Sequence, residues 1–544
     1  MRHPTLLLLS LAAAAAGAQT VPLPDAGRLL QEQRQDNRPL PTPGQAPRVV
    51  EPPARPAVDL PEGTTIAVTG FRITGARAYP MPRLEALVKP WVGRTLDLKG
   101  LNEAAGALTR LYQSEGHLLS YAYLPAQKVD GGVVEIAVLE GRIDAVQVVT
   151  AQEVRLRDEV VQAHTQPLTQ TEPVLQAEVE RKLLLLNDIP GVVARAAFTP
   201  GASTGTADVV VSVAEDEPLA LRVEADNHGS RSSGEYRAGV QMQLRDLSGL
   251  GDSTTLRATV SNGGGLVSGS IATQLPVGGD GLRLGASLSR LNYSLSGDFG
   301  ALGATGVAST LGVDASWPWL RGAGANLWLR GSLDYKRLTD EVVRAGVENQ
   351  RTLRQGTLGA SGDWRDSWLG GGSSAVSGTL ALGQVRGGGN RDAFKKAQLQ
   401  LARTQALFGP VSAYARVLAQ YTGAPLDSAE KLALGGPGGV RAYAPGEASV
   451  DIGRLWSAEL RYALPYPGGQ LTASLFHDQA SGTVVRGGSG AGNDVRLRGA
   501  GLGLQWTSGD HGVAASLAWR GDREPLAEGG DPKPRIYLQL FATP

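Results

Sequence analysis

Residues 434–453 read LGGPGGVRAYAPGEASVDIG, and this glycine-rich stretch determines which fold the chain fits. It lies between two segments in which apolar and polar residues alternate, as they do in the strands of an antiparallel sheet. Connections between such strands are usually a few residues long, and a loop of about thirty residues is usually functional. Its glycines permit backbone conformations closed to other residues, and one cation, Arg441, and one aromatic residue, Tyr443, follow them. The stretch is therefore a candidate functional loop.

The composition excludes several classes of protein. The chain has 544 residues, enough for two or more domains, and 52 lysines and arginines balance 52 aspartates and glutamates. This balance gives no sign of nucleic acid as a partner. The absence of cysteine excludes thiolate catalysis, cysteine-based zinc sites and disulfides. The six histidines lack metal-ligand spacing, so we expect no cofactor.

The N-terminus has the features of a signal peptide, which we assign to residues 1–18. Arg2 and His3 supply positive charge, residues 6–16 form a short apolar core, and residues 16–18 provide a small-residue cleavage site. No later apolar run reaches the roughly eighteen residues of a transmembrane helix. An exported chain of this kind enters the periplasm, the medium, or an outer membrane as a barrel.

A short helix is predicted within residues 19–36. Asp25 is a suitable N-cap, and Ala26, Leu29 and Leu30 form a narrow apolar stripe. The remaining positions are mostly polar. The helix is therefore predicted to be tethered to the next domain rather than packed into it.

The linker and the segment after it have different compositions. Residues 37–63 contain eight prolines between positions 37 and 61, which is typical of a semi-rigid extended linker. Residues 64–141 and 142–217 each read as strand, two helices and two strands, so a β-α-α-β-β unit of about 75 residues occurs twice. One larger mixed domain is the alternative. Neither unit contains a catalytic or phosphate-binding motif.

Residues 218–544 lack a helical period and contain about sixteen alternating segments. In residues 455–464, LWSAELRYAL, one face carries Ser457, Glu459 and Arg461, while the other face is apolar. In residues 327–338 the polar face carries Arg330, Ser332, Asp334 and Lys336. A polar lumen with an apolar outer band is the pattern of a transmembrane β-barrel. The alternative, a water-soluble β-solenoid, needs a short fixed repeat that the sequence lacks.

The number of segments places the glycine-rich stretch. If the α+β units lie in the periplasm, connections after odd-numbered strands face outward. The long loop at 423–453 follows the eleventh segment and is therefore predicted to be the sixth extracellular loop, called loop 6 below.

These features together resemble the outer-membrane transporters of two-partner secretion, the TpsB family with its ShlB/FhaC/HecB-type haemolysin-activating members, which are relatives of BamA. The resemblance covers essentially all of the mature chain. It implies that 64–141 and 142–217 are periplasmic POTRA domains, that the helix in 19–36 plugs the barrel, and that loop 6 folds back into the lumen.

The resemblance also implies the site residues. The family carries a VRGY-type tip on loop 6, which here reads Val440, Arg441, Ala442 and Tyr443, with alanine in place of glycine. It pairs the loop arginine with an aspartate of an FxDxG-like motif on the thirteenth strand. Phe476 and Asp478 match the first and third positions, and Ala480 replaces the last glycine. Alternation independently places Asp478 on the polar face of its strand.

The implied function is a passive pore in the outer membrane of a Gram-negative bacterium. It would recognise an unfolded partner exoprotein of the adhesin, haemolysin or toxin type in the periplasm, through sheet edges within 64–215, and pass it to the cell surface. Outer-membrane lipid, periplasmic chaperones and the barrel-assembly machinery are further expected partners.

Other functions are weighed against this one. A BamA-type assembly factor shares the barrel and the loop motif but usually has more periplasmic units, and an ordinary porin has no use for such units. An enzyme is not expected, because His477 and Asp478, although close to Ser481, are adjacent strand residues that point to opposite faces.

Overall fold

The computed structural model describes residues 23–36, 49–50 and 65–544, apart from 118, 152–153, 204, 389, 467, 489–492 and 522–532. The predicted signal peptide and most of the proline-rich linker lie outside these residues. The first described elements are helix α1 (Ala26–Asp36) and the two-residue strand β1 (Val49–Val50). Within the described ranges, no helix has the length and apolarity needed to cross a membrane.

The first α+β unit packs two helices on a small sheet. Its elements are β2 (Ile66–Ala67), β3 (Gly70–Thr74), α2 (Met81–Val88), β4 (Thr95–Leu96), α3 (Leu98–Ser114), β5 (Tyr121–Tyr123) and β6 (Val133–Leu139). Helix α3 begins where the Asp97 carboxylate accepts a hydrogen bond from the Gly100 amide at 2.8 Å. Its buried stripe includes Leu101, Ala105 and Leu108, which recur at helical spacing. The main sheet has the order β3-β6-β5.

The second unit repeats this plan. Its elements are β7 (Arg142–Thr150), α4 (Asp158–Thr165), α5 (Gln176–Asn187), β8 (Val192–Pro200) and β9 (Thr206–Glu215). The start of α4 is set by a contact with the end of β9. Backbone amides of Arg155 and Leu156 donate to the Glu215 carboxylate, each at 3.0 Å, so this segment is held on the sheet and α4 begins at Asp158.

One sheet edge of the second unit is paired with the linker. The sheet order is β1-β8-β9-β7, and β1 runs parallel to β8 with Val49 opposite Ala196 and Val50 opposite Ala197. The extended linker predicted from its prolines therefore contributes a short strand to this unit.

Residues 219–542 form a closed barrel of sixteen strands, as predicted. Its strands are β10 (Leu219–Asp226), β11 (Arg237–Arg245), β12 (Ser253–Ser261), β13 (Leu266–Val277), β14 (Leu282–Ser294), β15 (Ala304–Arg321), β16 (Ala325–Val342), β17 (Val347–Asp366), β18 (Gly372–Gly387), β19 (Asn390–Phe408), β20 (Val411–Thr422), β23 (Ile452–Tyr466), β24 (Gly469–Thr483), β25 (Asp494–Ser508), β26 (His511–Arg520) and β27 (Arg535–Ala542). Each neighbouring pair is antiparallel, and β10 closes the barrel against β27. The hairpin β21 (Leu432–Ala433) and β22 (Ser449–Val450) lies inside loop 6, between β20 and β23.

The barrel wall alternates as the sequence predicts. Leu333, Leu358 and Leu380 face outward and are 65%, 71% and 65% exposed, whereas their neighbours along the strands face a polar lumen. Leucines this exposed on the outer wall are available for contact with lipid. The exposed apolar band therefore agrees with a membrane-spanning barrel.

The second unit is docked on the turns that join the first barrel strands at one end. The Asp188 carboxylate binds Arg321 through two contacts of 2.8 Å, and Lys182 binds Asp280 at 2.8 Å. The Arg157 guanidinium donates to the Ser248 carbonyl at 2.9 Å. These contacts fix which end of the barrel lies on the side of the α+β units, and loop 6 starts at the other end.

Asp246, in the first of these turns, gives the junction a dependence on pH. Burial, together with the neighbouring Glu215 carboxyl, raises the pKa of Asp246 from its usual 3.8 to about 6. The unfolded turn loses this proton near pH 3.8, whereas the folded turn keeps it to about pH 6. The free energy of opening the junction is therefore greatest below pH 3.8 and falls as the pH rises through this window, by at most roughly 3 kcal/mol.

The Asp246→Asn variant is expected to flatten this dependence. Asparagine is neutral at every pH and tolerates the left-handed backbone of this position, where φ is 46°. Hydrogen exchange of residues 246–252 between pH 4 and pH 7, corrected for intrinsic rates, measures the opening. A profile that the substitution leaves unchanged would assign the dependence to another group.

Candidate functional site

Loop 6 folds back into the barrel. The side chains of Val440, Ala442 and Tyr443 at its tip have no solvent exposure, and they pack with wall residues that include Leu455 and Leu497. The Tyr537 hydroxyl of β27 donates to the Tyr443 carbonyl at 2.8 Å. The glycine-rich part of the loop allows this tight path, since a Cβ on Gly439 would lie 2.3 Å from the Leu434 carbonyl oxygen. The tip is thus held against the inner wall.

Arg441 and Asp478 are in direct contact, as the resemblance implies. The Arg441 guanidinium donates to the Asp478 carboxylate through Nε and Nη2, each at 2.8 Å, and the Arg441 backbone amide adds a third bond at 3.1 Å. Asp478 has no solvent exposure and lies on the lumen face of β24, the thirteenth barrel strand. We call these two residues the tip pair. A bidentate arginine–carboxylate contact is among the strongest polar contacts that side chains make.

Neighbouring residues on β23 and β24 add further contacts to the tip pair. Arg441 also binds the Glu459 carboxylate of β23 at 2.8 Å, and Glu459 in turn binds Arg461 at 2.7 Å. The guanidinium carbon of Arg441 lies 3.4 Å from the centre of the Phe476 ring, a cation–π contact. The Arg441 guanidinium therefore stacks on the Phe476 ring and is bound by two carboxylates.

The alanine of the tip is accommodated by a glycine in the wall. Ala442 does not adopt a left-handed conformation and is fully buried. A Cβ on Gly499 of β25 would lie 2.4 Å from the Ala442 Cβ, so a side chain at position 499 would collide with the tip. The missing side chain of Gly499 makes room for the methyl group of Ala442.

Helix α1 lies inside the barrel, in contact with the wall and with loop 6. The predicted N-cap is present, because the Asp25 carboxylate accepts a hydrogen bond from the Arg28 amide at 2.8 Å. The predicted stripe of Ala26, Leu29 and Leu30 is buried at 0%, 3% and 5% exposure. These side chains pack with lumen residues of β13–β19 and with Ala429 of loop 6. The apolar face of α1 is therefore packed in the barrel.

Arg351 of β17 joins the helix, loop 6 and the wall. Its guanidinium binds three carboxylates: Asp25 of the helix at 3.0 Å, Asp340 of the wall at 2.7 Å and Asp427 of loop 6 at 2.7 Å. The Asp340 carboxylate also accepts a hydrogen bond from the Ala26 backbone amide at 2.7 Å. The side chain of Arg351 is 8% exposed, so one cation holds three carboxylates in a largely dry place.

The base of loop 6 is attached to the wall by buried charges. Glu430 is 2% exposed and binds Lys336 of β16 and Lys396 of β19, the second at 2.5 Å. The Lys396 ammonium also donates to the Glu430 carbonyl at 3.1 Å. We call these three residues the base cluster. Glu430 is also the last residue of the turn at 428–430, which contacts α1.

The contact between α1 and loop 6 depends on two glycines. A Cβ on Gly27 would lie 2.3 Å from the Ser428 hydroxyl oxygen and 2.7 Å from the Ala429 amide nitrogen. On the other side, the Arg28 guanidinium donates to the Gly446 carbonyl. The helix and the loop therefore interlock, because the helix backbone touches the loop at one point and a helix side chain holds it at another.

Arg351, Glu430 and the glycine contact have no signal in the sequence. Alternation places Lys336 and Glu459 on lumen faces, but it does not show which charged residues of the lumen contact each other. Arg351 donates to Asp25 and to the Ser428 hydroxyl, which lie 326 and 77 residues away, and no local pattern gives a signal at such separations.

Comparison with known proteins agrees with this geometry. The profile of the family described as haemolysin secretion/activation protein ShlB/FhaC/HecB matches residues 205–506. The chain belongs to this family. The profile of the ShlB-type POTRA domain matches residues 66–141, which is the first α+β unit.

Curated relatives of the chain are outer-membrane transporters. It is 27% identical over 485 residues to the heme/hemopexin transporter protein HuxB of Haemophilus influenzae, covering 85% of this chain and 84% of HuxB. It is 24% identical over 494 residues to the outer membrane transporter CdiB of Escherichia coli, covering 82% and 78%. The protein is thus an outer-membrane transporter that carries a partner exoprotein to the cell surface, and its POTRA region lies in the periplasm.

Solved structures share the fold. CdiB from Escherichia coli superposes with a TM-score of 0.71 at 20% identity and covers 90% of this chain and 92% of its own. BamA from Haemophilus ducreyi lacking POTRA domains 1–3 gives a TM-score of 0.51 at 14% identity and covers 88% and 100%. The barrel architecture is therefore common to both kinds of protein.

The Gly27→Val variant is expected to displace α1 and open the barrel. Its side chain would overlap the backbone of loop 6 at Ala429, and neither the turn nor the helix can yield without losing its buried contacts. Single-channel conductance in planar bilayers should rise several-fold.

Gly106→Val provides the matched control. Gly106 lies within helix α3, and a Cβ there would meet only the mobile end of Arg110 at 3.3 Å, so the conductance should stay at the wild-type level. If Gly27→Val conducts like the wild type, the close helix–loop contact does not keep the pore closed.

Proposed function

We propose that α1 and loop 6 together gate the passage of the exoprotein, α1 as a removable plug and loop 6 as a fixed part of the lumen. The observation that carries the proposal is the bidentate contact of Arg441 with a carboxylate that has no solvent exposure. A loop held only by exposed contacts would move with the passing chain. The tip pair instead keeps loop 6 on the wall while α1 leaves.

The energetics favour this division of roles. Removing one partner of a buried ion pair costs on the order of 3 to 5 kcal/mol, because the other charge is left without compensation in a dry place. Loop 6 has two such anchors, the tip pair and the base cluster. Helix α1 depends on the shared Arg351, which keeps Asp340 and Asp427 when Asp25 departs. The plug therefore leaves at lower cost than the loop does.

We further propose that the exoprotein is captured at sheet edges of the periplasmic units. Strand β5 is the edge of the first unit, and β8 holds the equivalent place in the second. An extended peptide added to such an edge gains main-chain hydrogen bonds and needs little side-chain specificity, which suits an unfolded cargo. On β8 an incoming strand meets β1 at Ala196 and Ala197, so it displaces the linker that follows the plug.

The pore needs no chemical step of its own in this proposal. Export is driven by the folding of the exoprotein outside the cell, as the family resemblance implies, and the chain acts as a transporter rather than an enzyme. Periplasmic chaperones would keep the cargo unfolded before capture. The barrel-assembly machinery would insert the barrel into the membrane.

The Arg441→Ala variant is expected to lose secretion while the barrel still reaches the outer membrane. The substitution removes the cation beside Asp478 and leaves Glu459 with Arg461 alone, whereas the wall itself keeps every ladder hydrogen bond. The measurement compares exoprotein in the medium with heat-modifiable barrel in outer-membrane fractions. Arg461→Ala, which changes a 32% exposed partner of Glu459, serves as a control and should secrete close to normally. Normal secretion by Arg441→Ala would refute the tip pair as an anchor.

A barrel-assembly factor of the BamA kind is the second candidate, favoured by the shared barrel fold. The two functions predict the loss of different proteins when this chain is depleted. Depletion of the chain is expected to remove one secreted protein from the medium and to leave the outer-membrane protein profile unchanged. Loss of many outer-membrane proteins on depletion would favour the assembly function instead.

A further inference from the structure

A basic patch lies on the outer wall of the barrel, towards the end away from the periplasmic units. Its residues are exposed and come from five strands: Arg290 on β14, Arg337 on β16, Arg354 on β17, Arg386 on β18 and Lys395 on β19. Each lies next to a lumen residue along its strand, such as the buried Leu291, Leu353 or Lys396. Successive strand residues point to opposite faces, so the five cations point away from the lumen.

The strand register brings these cations side by side. Arg290 lies opposite Ser309, Ser309 opposite Arg337, Arg337 opposite Thr352, and Thr352 opposite Arg386. Arginines on alternate strands are therefore roughly 10 Å apart. Arg354 lies two residues further along β17 than Thr352, and Lys395 lies opposite Leu382 in the following row. The patch thus runs obliquely across the strands. Because barrel strands are tilted, residues at one depth in the membrane lie at shifted positions on successive strands.

The five cations lack carboxylate partners within ion-pair distance in the described part of the chain. Arg290 donates to the Asn292 amide oxygen at 3.3 Å, Arg386 donates to the Gln384 amide oxygen at 3.1 Å, and Arg354 lies 5.8 Å from the Tyr335 ring centre. The nearest acids on this face, Glu341 and Glu348, lie opposite each other, four residues further out than Arg337 and Thr352. The patch therefore presents uncompensated positive charge.

Exposed apolar side chains lie directly on the membrane side of the patch. Leu288 and Leu311 form the next row beside Tyr335, and both are more than half exposed, at 54% and 55%. Leu333 and Leu382 follow, at 65% and 61%. A cation on the lipid face costs about 2 to 4 kcal/mol at the midplane and little near the interface, which places the patch at the boundary of the outer leaflet.

We propose that this patch binds the phosphate groups of a phosphorylated glycolipid of the outer leaflet, of the lipid A class, while its acyl chains cover the leucine rows. An arginine fork holds a phosphate through two parallel hydrogen bonds. Several cations spaced roughly 10 Å apart match a headgroup with more than one phosphate better than a phospholipid with one. The proposal rests on the outer-membrane location and is independent of how the exoprotein is transported.

The test compares glycolipid retention by the full-length protein and a variant in nanodiscs. The variant Arg337→Gln/Arg354→Gln/Lys395→Gln removes three charges from the patch. The probes are diphosphoryl lipid A and, at equal concentration, phosphatidylglycerol, with bound lipid counted by native mass spectrometry. The wild type is expected to bind lipid A about tenfold or more tightly than the variant does, and to prefer it to phosphatidylglycerol.

The matched control removes the same number of charges elsewhere. Arg94→Gln/Lys99→Gln/Lys128→Gln changes exposed cations of the first periplasmic unit and should retain lipid A like the wild type. Both triple variants are first tested for heat-modifiable migration. If the triple patch variant does not fold, the single variant Arg354→Gln replaces it and is expected to show a smaller loss in the same direction. Equal retention by wild type and patch variants, or equal binding of phosphatidylglycerol by the wild type, would overturn the proposal.

Discussion

A carboxylate without contact to water must have a cation beside it, and this constraint organises the interior of the barrel. Asp478 meets it with Arg441 and Glu430 with two lysines, and the largely buried Asp427 pairs with Arg351 in the same way. In each case the partners come from segments far apart in sequence. The lumen is therefore specified by charge pairing as well as by apolar packing, and loop 6 takes part in all three contacts.

The position of loop 6 between the wall and α1 follows from these contacts. Its tip is paired with β23 and β24, and its base with β16 and β19. Helix α1 then packs on the loop base through Gly27 and shares Arg351 with it. Loop 6 is thus the surface that α1 recognises, and an arrangement of the loop that moved its base would also remove the binding site of the helix.

The sequence was sufficient for the barrel and for part of the site. The period-two alternation in segments such as 455–464 depends only on which face meets lipid, so sixteen strands and the lumen position of Asp478 could be predicted from it. The pairing of Asp478 with Arg441 came from the VRAY tip and its resemblance to a family. Arg351 could not be found in this way, because its partners Asp25 and Asp427 belong to other segments whose approach only the closed barrel defines.

The second periplasmic unit shows a similar limit. The order of its strands and helices was predicted, yet the start of α4 depends on amides that bind Glu215 some sixty residues later. Its place under the barrel depends on Asp188 and Arg321, which no periodic pattern connects. Local sequence patterns predict helices and strands, whereas the contact between the second unit and the barrel depends on single charged residues.

The fit between Ala442 and Gly499 makes the two positions interdependent. One methyl group fills the gap between the tip and the wall, and there is no room for a second one. A side chain at position 499 is therefore compatible with a docked tip only when position 442 is glycine. Tip and wall must accordingly be changed together in any redesign of this interface.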